Sequence, residues 1–548
     1  VGGLAGRLEL YQSASGGAGG PGTGVSGLGG DATTGSTTVN PLGSLSLSHL
    51  AQGGAGGSSQ PGFTGNGRDG ARALASMDAT ALTEVLLHAT VQGGSGGAAY
   101  GPGNDGNGGN GRAGELGLVR GQSSGDSLVL IDVEVTGGSG GLTEGAGQGG
   151  DGASTILSNA MTGVTGGYLS LRQSATGGSG GQARGSGING SGGEGVSLLD
   201  ISGAHQVLDL QAVASGGGGG SRAAGLGATA GSGRTAQASS TARNSLGDAR
   251  ALANAAGGSG GSGSNQVKGG NGAVGTARAE ADTRDGGLEA RAIAHATGGS
   301  GGDAGMGAGT SADGVSLAIA NAGGNGAAIA TAYATGGEGG YSLFGNGIAS
   351  SGGNGEARAE ATNLGNAAVT ATAEAVGGSG SPFSAKVPGG GGAATASASG
   401  ISTGAGMVTV SATQRGGNAG PAASASNGAN GASTSMFNAV DGATGGELFL
   451  SQFAYGGAGS ETGSARAGDG GNASSVLDHS GALATYLSAD VRAQGGNGGE
   501  ASGGVPSGIG GNGGNGDVQL RVTGAARVQA KGVATGGLGG EFVNAGTG

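Results

Sequence analysis

Of 548 residues, 147 are glycine, seven are phenylalanine, seven are tyrosine and eight are proline; cysteine and tryptophan are absent, 11% carry charge, and the formal net charge is −12. Glycine at several times its usual share of about 7% points to collagen, to disorder or to backbone packed on backbone; so few prolines and an interrupted glycine spacing exclude the first, and regular Val, Leu and Ile between the glycine tracts argue against the second. The acidic balance, with lysine only at Lys268, Lys386 and Lys531, gives no footprint for nucleic acid or an anionic membrane, and no apolar run approaches the roughly 20 residues of a membrane span.

A motif, usually Gly-Gly-X-Gly-Gly, begins at Gly16, Gly53, Gly93, Gly137, Gly177, Gly216, Gly257, Gly298, Gly336, Gly377, Gly416, Gly456, Gly495 and Gly536, at intervals of 37 to 44 residues averaging 40. Such a period is the signature of a repeat architecture. Eight residues before each start stand Leu8, Leu45, Val85, Val129, Leu169 and Leu208, then Ala249, Ala290 and Ala328, then Val369, Val408, Leu448, Leu487 and Val528. The residue six before is apolar in every unit, and the residue two before in every unit except at Gln414, while odd offsets hold Glu9, Asp132, Arg172 and Arg291. This alternation predicts a β-strand with one buried face before every motif. A second strand precedes the first in many units, as at 277–282, 357–362 and 518–522, with turns such as Arg284-Asp285-Gly286-Gly287 and Asn363-Leu364-Gly365-Asn366 between the two.

The glycine tracts repeat every three or six residues: Gly94, Gly97, Gly103, Gly106 and Gly109; Gly178, Gly181, Gly187, Gly190 and Gly193; Gly495, Gly498, Gly504, Gly510, Gly513 and Gly516. Period three is that of polyproline II, which makes no internal hydrogen bonds and must pair with neighbours when buried; glycine at every third residue clears one face for that approach. The chain therefore reads as an all-β repeat solenoid: one domain over residues 1–548, with about 14 stacked units of two strands and glycine-rich polyproline-II-type legs, and no separate globular domain.

No constellation predicts chemistry. Gly137-Gly138-Ser139-Gly140-Gly141 matches a nucleophile elbow in letters, but no histidine or acid accompanies it at fixed spacing, and His49, His88, His205, His295 and His479 occupy different phases of the repeat. The expectation is no enzyme, no catalytic, cofactor-binding or metal residue, and no cofactor. Calcium is the alternative, because Gly513-Gly514-Asn515-Gly516-Asp517 resembles the Gly-Gly-X-Gly-X-Asp pattern of calcium-binding β-rolls with its aspartate one position early. Asn189 and Asn472 head formal glycosylation sequons.

The strings Ala-Thr-Gly-Gly-Ser-Gly-Gly at 175–181 and 296–302, with the alternating strands before them, resemble the glycine-rich repeat proteins of bacterial surfaces and extracellular matrices. The period-three glycine is similar to the polyglycine-II layers of glycine-rich antifreeze proteins and phage tail adhesins. The resemblance implies a secreted, extracellular or cell-surface structural protein, and transfers no functional residue.

Absence of cysteine suits secretion without disulfides, and a sequence starting at Val1 suggests a processed product or a piece of a longer precursor. The leading functional expectation is a subunit of an extracellular filament, sheath or matrix, with itself as head-to-tail partner. The alternative is a surface adhesin touching cells or carbohydrate, or an ice-binding module; Thr136, Thr176, Thr297 and Thr335 precede the motif, but Gln52, Ser215 and Tyr455 take that place elsewhere.

Overall fold

The computed structural model describes residues 6–541 apart from 102–104, 224–227, 265, 285, 287, 306–307, 324–325, 343–348, 382–385, 424, 503–507 and 525. Asp285 and Gly287 of the turn named above, and Gly103 and Gly504 of the tracts, lie outside the described residues. Among the described residues there is no helix. The strands are β1 (Arg7–Ser15), β2 (Ala32–Asn40), β3 (Ser44–Gln52), β4 (Ala73–Ala81), β5 (Val85–Gln92), β6 (Gly114–Ser123) and β7 (Val129–Thr136). Then come β8 (Thr155–Ser158), β9 (Thr162–Val164), β10 (Tyr168–Thr176), β11 (Gly195–Gly203), β12 (Val207–Ser215), β13 (Ala236–Asn244) and β14 (Asp248–Ala256). Next are β15 (Gly275–Asp282), β16 (Ala290–Thr297), β17 (Gly314–Ala322), β18 (Ala328–Thr335), β19 (Gly355–Asn363), β20 (Val369–Val376), β21 (Ala394–Ser402) and β22 (Val408–Arg415). The series closes with β23 (Thr434–Phe437), β24 (Val440–Ala443), β25 (Glu447–Tyr455), β26 (Ala473–Ser480), β27 (Tyr486–Gln494), β28 (Gly516–Thr523) and β29 (Arg527–Thr535).

The chain divides into two compact units, Val1–Ser262 with Ala281–Gly287, and Gly263–Glu280 with Leu288–Gly548. Each is a parallel β-solenoid. In the first, β1-β3-β5-β7-β10-β12-β14 hydrogen-bond in that order; in the second, β16-β18-β20-β22-β25-β27-β29 do so. These are the strands before the glycine motifs, and they stack in register, Leu45 beside Val85 and Val85 beside Val129. Successive turns bring the same side chain to the same level, so one alternating pattern serves every layer.

The second strands form sheets facing the first, β2-β4-β6-β9 and β8-β11-β13 in the first unit, β15-β17-β19-β21-β24 and β23-β26-β28 in the second. Between the faces lie the alternating residues: Ala290, Ala292 and Ala294 meet no solvent, and neither do their counterparts Ala328, Ala330 and Ala332. The first unit fills the same space with Leu45, Leu47, Leu169 and Leu171. Glycine on the facing sheet makes the room: a methyl group at Gly163 would sit 2.2 Å from Leu169 Cδ1, and one at Gly442 2.6 Å from Leu448 Cδ1. Where a second-sheet strand ends, Asn40, Asn244 and Asn363 are buried and bond the following turn, as in Asn244 Nδ2 to Asp248 O at 2.7 Å.

Two turns depart from the two-strand expectation. At β8/β9 and at β23/β24 the second strand is broken, its first half pairing with the next turn and its second half with the preceding one.

Candidate functional site

The feature that could carry function is backbone: paired glycine legs and the edges of the sheets. In each leg three residues complete a cycle. The first donates to the same leg one turn on, as Gly53 N–H to Gln92 O at 2.9 Å and Gly56 N–H to Ser95 O at 2.8 Å. The second donates across to the facing leg, building a spiral from Gly30 to Gly17 O, Gly54 to Gly30 O, Ala71 to Gly54 O and Gly94 to Ala71 O at 2.7–2.9 Å. In the second unit the spiral runs from Gly299 bonded to Ala273 O through to Gly537 bonded to Gly514 O.

The third residue faces solvent, and in the second leg a side chain one turn earlier takes its N–H. Asp69 Oδ1 accepts from Asn110 N–H at 2.7 Å, Asn110 Oδ1 from Asp151 N–H at 2.8 Å, and Asp151 Oδ1 from Ser191 N–H at 2.7 Å. Asn430 and Asp469 repeat the file in the second unit. Along this file an extended leg with no bonds of its own thus finds a partner for each of its three amides.

Many glycines in the first two positions have room for hydrogen alone, although Arg68, Ala71 and Ala153 show that the second position of the facing leg also takes a side chain. A methyl group on Gly96 would lie 1.8 Å from Gly109 O, and one on Gly97 2.1 Å from Gly57 O; at outward-facing Gly218 the nearest atom is 3.4 Å away. Because a missing Cβ marks the direction of a Cα–H bond, these glycines aim C–H groups at carbonyl oxygens. At these glycines two faces of the leg are closed by backbone, where the sequence reading cleared one.

Against this frame of backbone contacts, the residues singled out in the sequence have ordinary places. Ser139 is an exposed outward residue of a leg, its carbonyl accepting Gly96 N–H at 2.8 Å. His88 lies 3.4 Å from Asp132, His295 stacks on Tyr333 at 4.8 Å, and His205 Nδ1 sits 2.6 Å from Thr165 O. Asp517 is exposed, opposite Ser474, and among the described residues no three His, Cys, Asp or Glu side chains converge. Asn189 is buried, while Asn472 is exposed with its Oδ1 accepting from Asn515 N–H at 2.8 Å. Thr136 pairs with Thr176 and Thr297 with Thr335, but Ser215 and Val376 follow them in the ladder.

The sequence reading missed the polar side chains turned into the core. His49, Gln173 and Gln452 stand four residues before the glycine motif, all 0–1% exposed. Each bridges to the facing sheet: His49 Nε2 to Ser36 Oγ at 2.9 Å, Gln173 Oε1 from Ala160 N–H at 3.0 Å, Gln452 Oε1 from Ala439 N–H at 2.8 Å. A polar residue on the apolar side of the alternation was the available signal.

No protein-family model, no curated protein and no solved structure matches this chain.

On the outer face of β25 and β27, Phe449, Phe453, Tyr455 and Tyr486 gather, but their ring partners are neighbours in the ladder. Arg415 lies 4.2 Å from the Tyr455 centroid, Arg492 5.1 Å from that of Phe453, and Phe449 5.7 Å from Tyr486. These are two cation–ring contacts and one edge-to-face ring contact between adjacent strands of the sheet.

Proposed function

We propose that this chain is a structural subunit of an extracellular bacterial filament, sheath or matrix, adding to its own kind through sheet edges. The observation that carries the reading is the pair of edge strands. Among the described residues β1 pairs with β3 alone and β29 with β27 alone, each in unbroken register, so each has a row of backbone groups on its other side. Natural edges are commonly guarded by lysine, proline or a bulge; β1 contains no lysine or proline, and β29 has only Lys531. A parallel solenoid that repeats the same register at every layer accepts a further layer without new side-chain recognition.

The test is electron microscopy and sedimentation of the natural chain without solubilising tags. Filaments that lengthen with concentration are expected. A strictly monomeric particle at high concentration overturns the assembly and favours the adhesin.

A further inference from the structure

We propose that the break in the second sheet of the first unit is a docking slot for an extended peptide, which enters between β6 and β8 as an added strand. This reading is independent of the assembly proposed above.

Two interrupted edges face each other there. Gly114–Val119 of β6 are paired with β4 on one side only, because β9 meets β6 no earlier than Arg120. Thr155–Ser158 of β8 are paired only with β11. Between them opens a cleft of about 560 Å³, lined by Gly114–Val119 on one wall and Ile156–Asn159 on the other. The N–H groups of Thr155 and Asn159 donate forward to Glu194 O and Leu198 O, both at 2.8 Å, so by alternation those of Ile156 and Ser158 point into the cleft. On the opposite wall Gly114 holds the register position of Ala32, whose N–H donates forward to Arg72 O at 3.0 Å, so the amides of Gly114 and Leu116 point inward as well.

The second unit supplies a counterpart whose two edges lie closer together. It has the same break, with Asn438 at φ 45° matching Asn159 at 44°. It has the same buried glutamine bridge, Gln452 Nε2 to Ser475 Oγ where Gln173 Nε2 meets Ser197 Oγ. There Ala398 N–H donates to Ala439 O at 2.8 Å, the first rung of the β21–β24 pairing, which begins one position earlier than the β6–β9 pairing does at Arg120. The difference is one residue. β21 has nine residues and β6 ten, the extra one forming a bulge at Gly117-Leu118 opposite Ser76.

The chemistry of the occupant follows from the walls. Rows of backbone donors and acceptors on both sides call for a strand, continuing the ladders of both half-sheets. The floor is already filled by buried Leu157, Met161 and Val119, so inward residues must be glycine or alanine. The rim carries Leu118 and Ile156, 57% and 65% exposed, and its one charge, Glu115, is paired with Arg72. The partner is therefore an uncharged extended segment alternating small with neutral, β-favouring residues, of roughly six residues or about 20 Å.

The test uses the whole chain and a capped hexapeptide of alternating alanine and threonine. Calorimetry should show saturable one-to-one binding, weakened at least about tenfold by N-methylating the peptide backbone, by Ile156→Lys, or by deleting Leu118 to restore the nine-residue strand. Hydrogen exchange at Gly114, Leu116, Ile156 and Ser158 of the unaltered chain should slow on peptide addition, a readout that needs no variant to fold. Absence of binding, equal binding of the methylated peptide, or unchanged exchange at those amides overturns the proposal.

Discussion

At the residue scale, what a position tolerates is set by which face of a leg it occupies. Gly97→Ala places a methyl group 2.1 Å from Gly57 O, a backbone atom that already accepts the Arg68 N–H and cannot retreat as a side chain could, and should cost roughly 2–3 kcal/mol. Gly218→Ala meets only Ser259, at an ordinary contact distance of 3.4 Å, and should stabilise by about 0.5 kcal/mol, by restricting the unfolded chain. Urea midpoints on the two variants check the contrast; equal effects would mean that the faces are wrongly assigned. His49 carries a second prediction. Its Nδ1 is buried without a hydrogen-bond partner, and burial holds its pKa below the ordinary imidazole value of about 6.5. As pH falls through that value the unfolded chain binds a proton that the folded chain refuses, so stability is full above it and declines below. His479 and His295 shift the same way through burial, Asp441 opposing it at His479. His49→Gln, which installs the residue found in the same place at Gln173 and Gln452, should reduce the loss of denaturation midpoint between about pH 7.5 and pH 5. An unchanged pH profile would remove His49 from the explanation.

At the element scale, alternation makes the strands legible because a period of two fits only a strand with one buried side, and stacking in register repeats that demand in every turn. Ala292 and Ala330 are therefore where the pattern puts them, fully buried, and Arg291 is exposed. Ala330→Leu should destabilise by about 1–3 kcal/mol through overpacking against the facing sheet, while Arg291→Ala should stay within about 0.5 kcal/mol. Thermal melts of both variants decide it, and a silent Ala330→Leu would show that the layers yield. The broken strands were not legible, because Asn159-Ala160 and Asn438-Ala439 interrupt the alternation for only a few residues and the compensating glutamines lie on another strand. The legs were half legible. Spacing by three announces the conformation, whereas the partner of each face depends on which leg lies across from it. The Asp69–Asn110–Asp151 file was hidden for the same reason: its members are about 40 residues apart and meet only after the chain has coiled.

At the scale of the whole molecule, the direction of the backbone fixes the kind of assembly that edges can support. Residues on the buried side of a first-sheet strand donate to the following turn, as Leu45 does to Glu84 O at 2.8 Å and Val85 to Leu128 O at 2.9 Å. In β29, the corresponding amides of Val528 and Ala530 face the unpaired side, and in β1 the complementary rank faces the other way. In the assembly proposed above, a parallel continuation would therefore join the β29 edge of one copy to the β1 edge of the next, a heterologous head-to-tail contact. Ala530→Pro removes one of those donors and sets a ring on the free side while leaving the bonds to β27 in place, since proline is tolerated where its nitrogen faces outward from an edge. Blocking this single edge should abolish growth of the variant alone, and in mixtures with the unaltered chain it should terminate filaments at one end and shorten them as its fraction rises. If contacts were instead self-complementary, β1 to β1, the variant would still form dimers through its intact edge. Sedimentation of the variant separates the outcomes: monomers support the directional contact, and persistent dimers or undiminished filaments refute it.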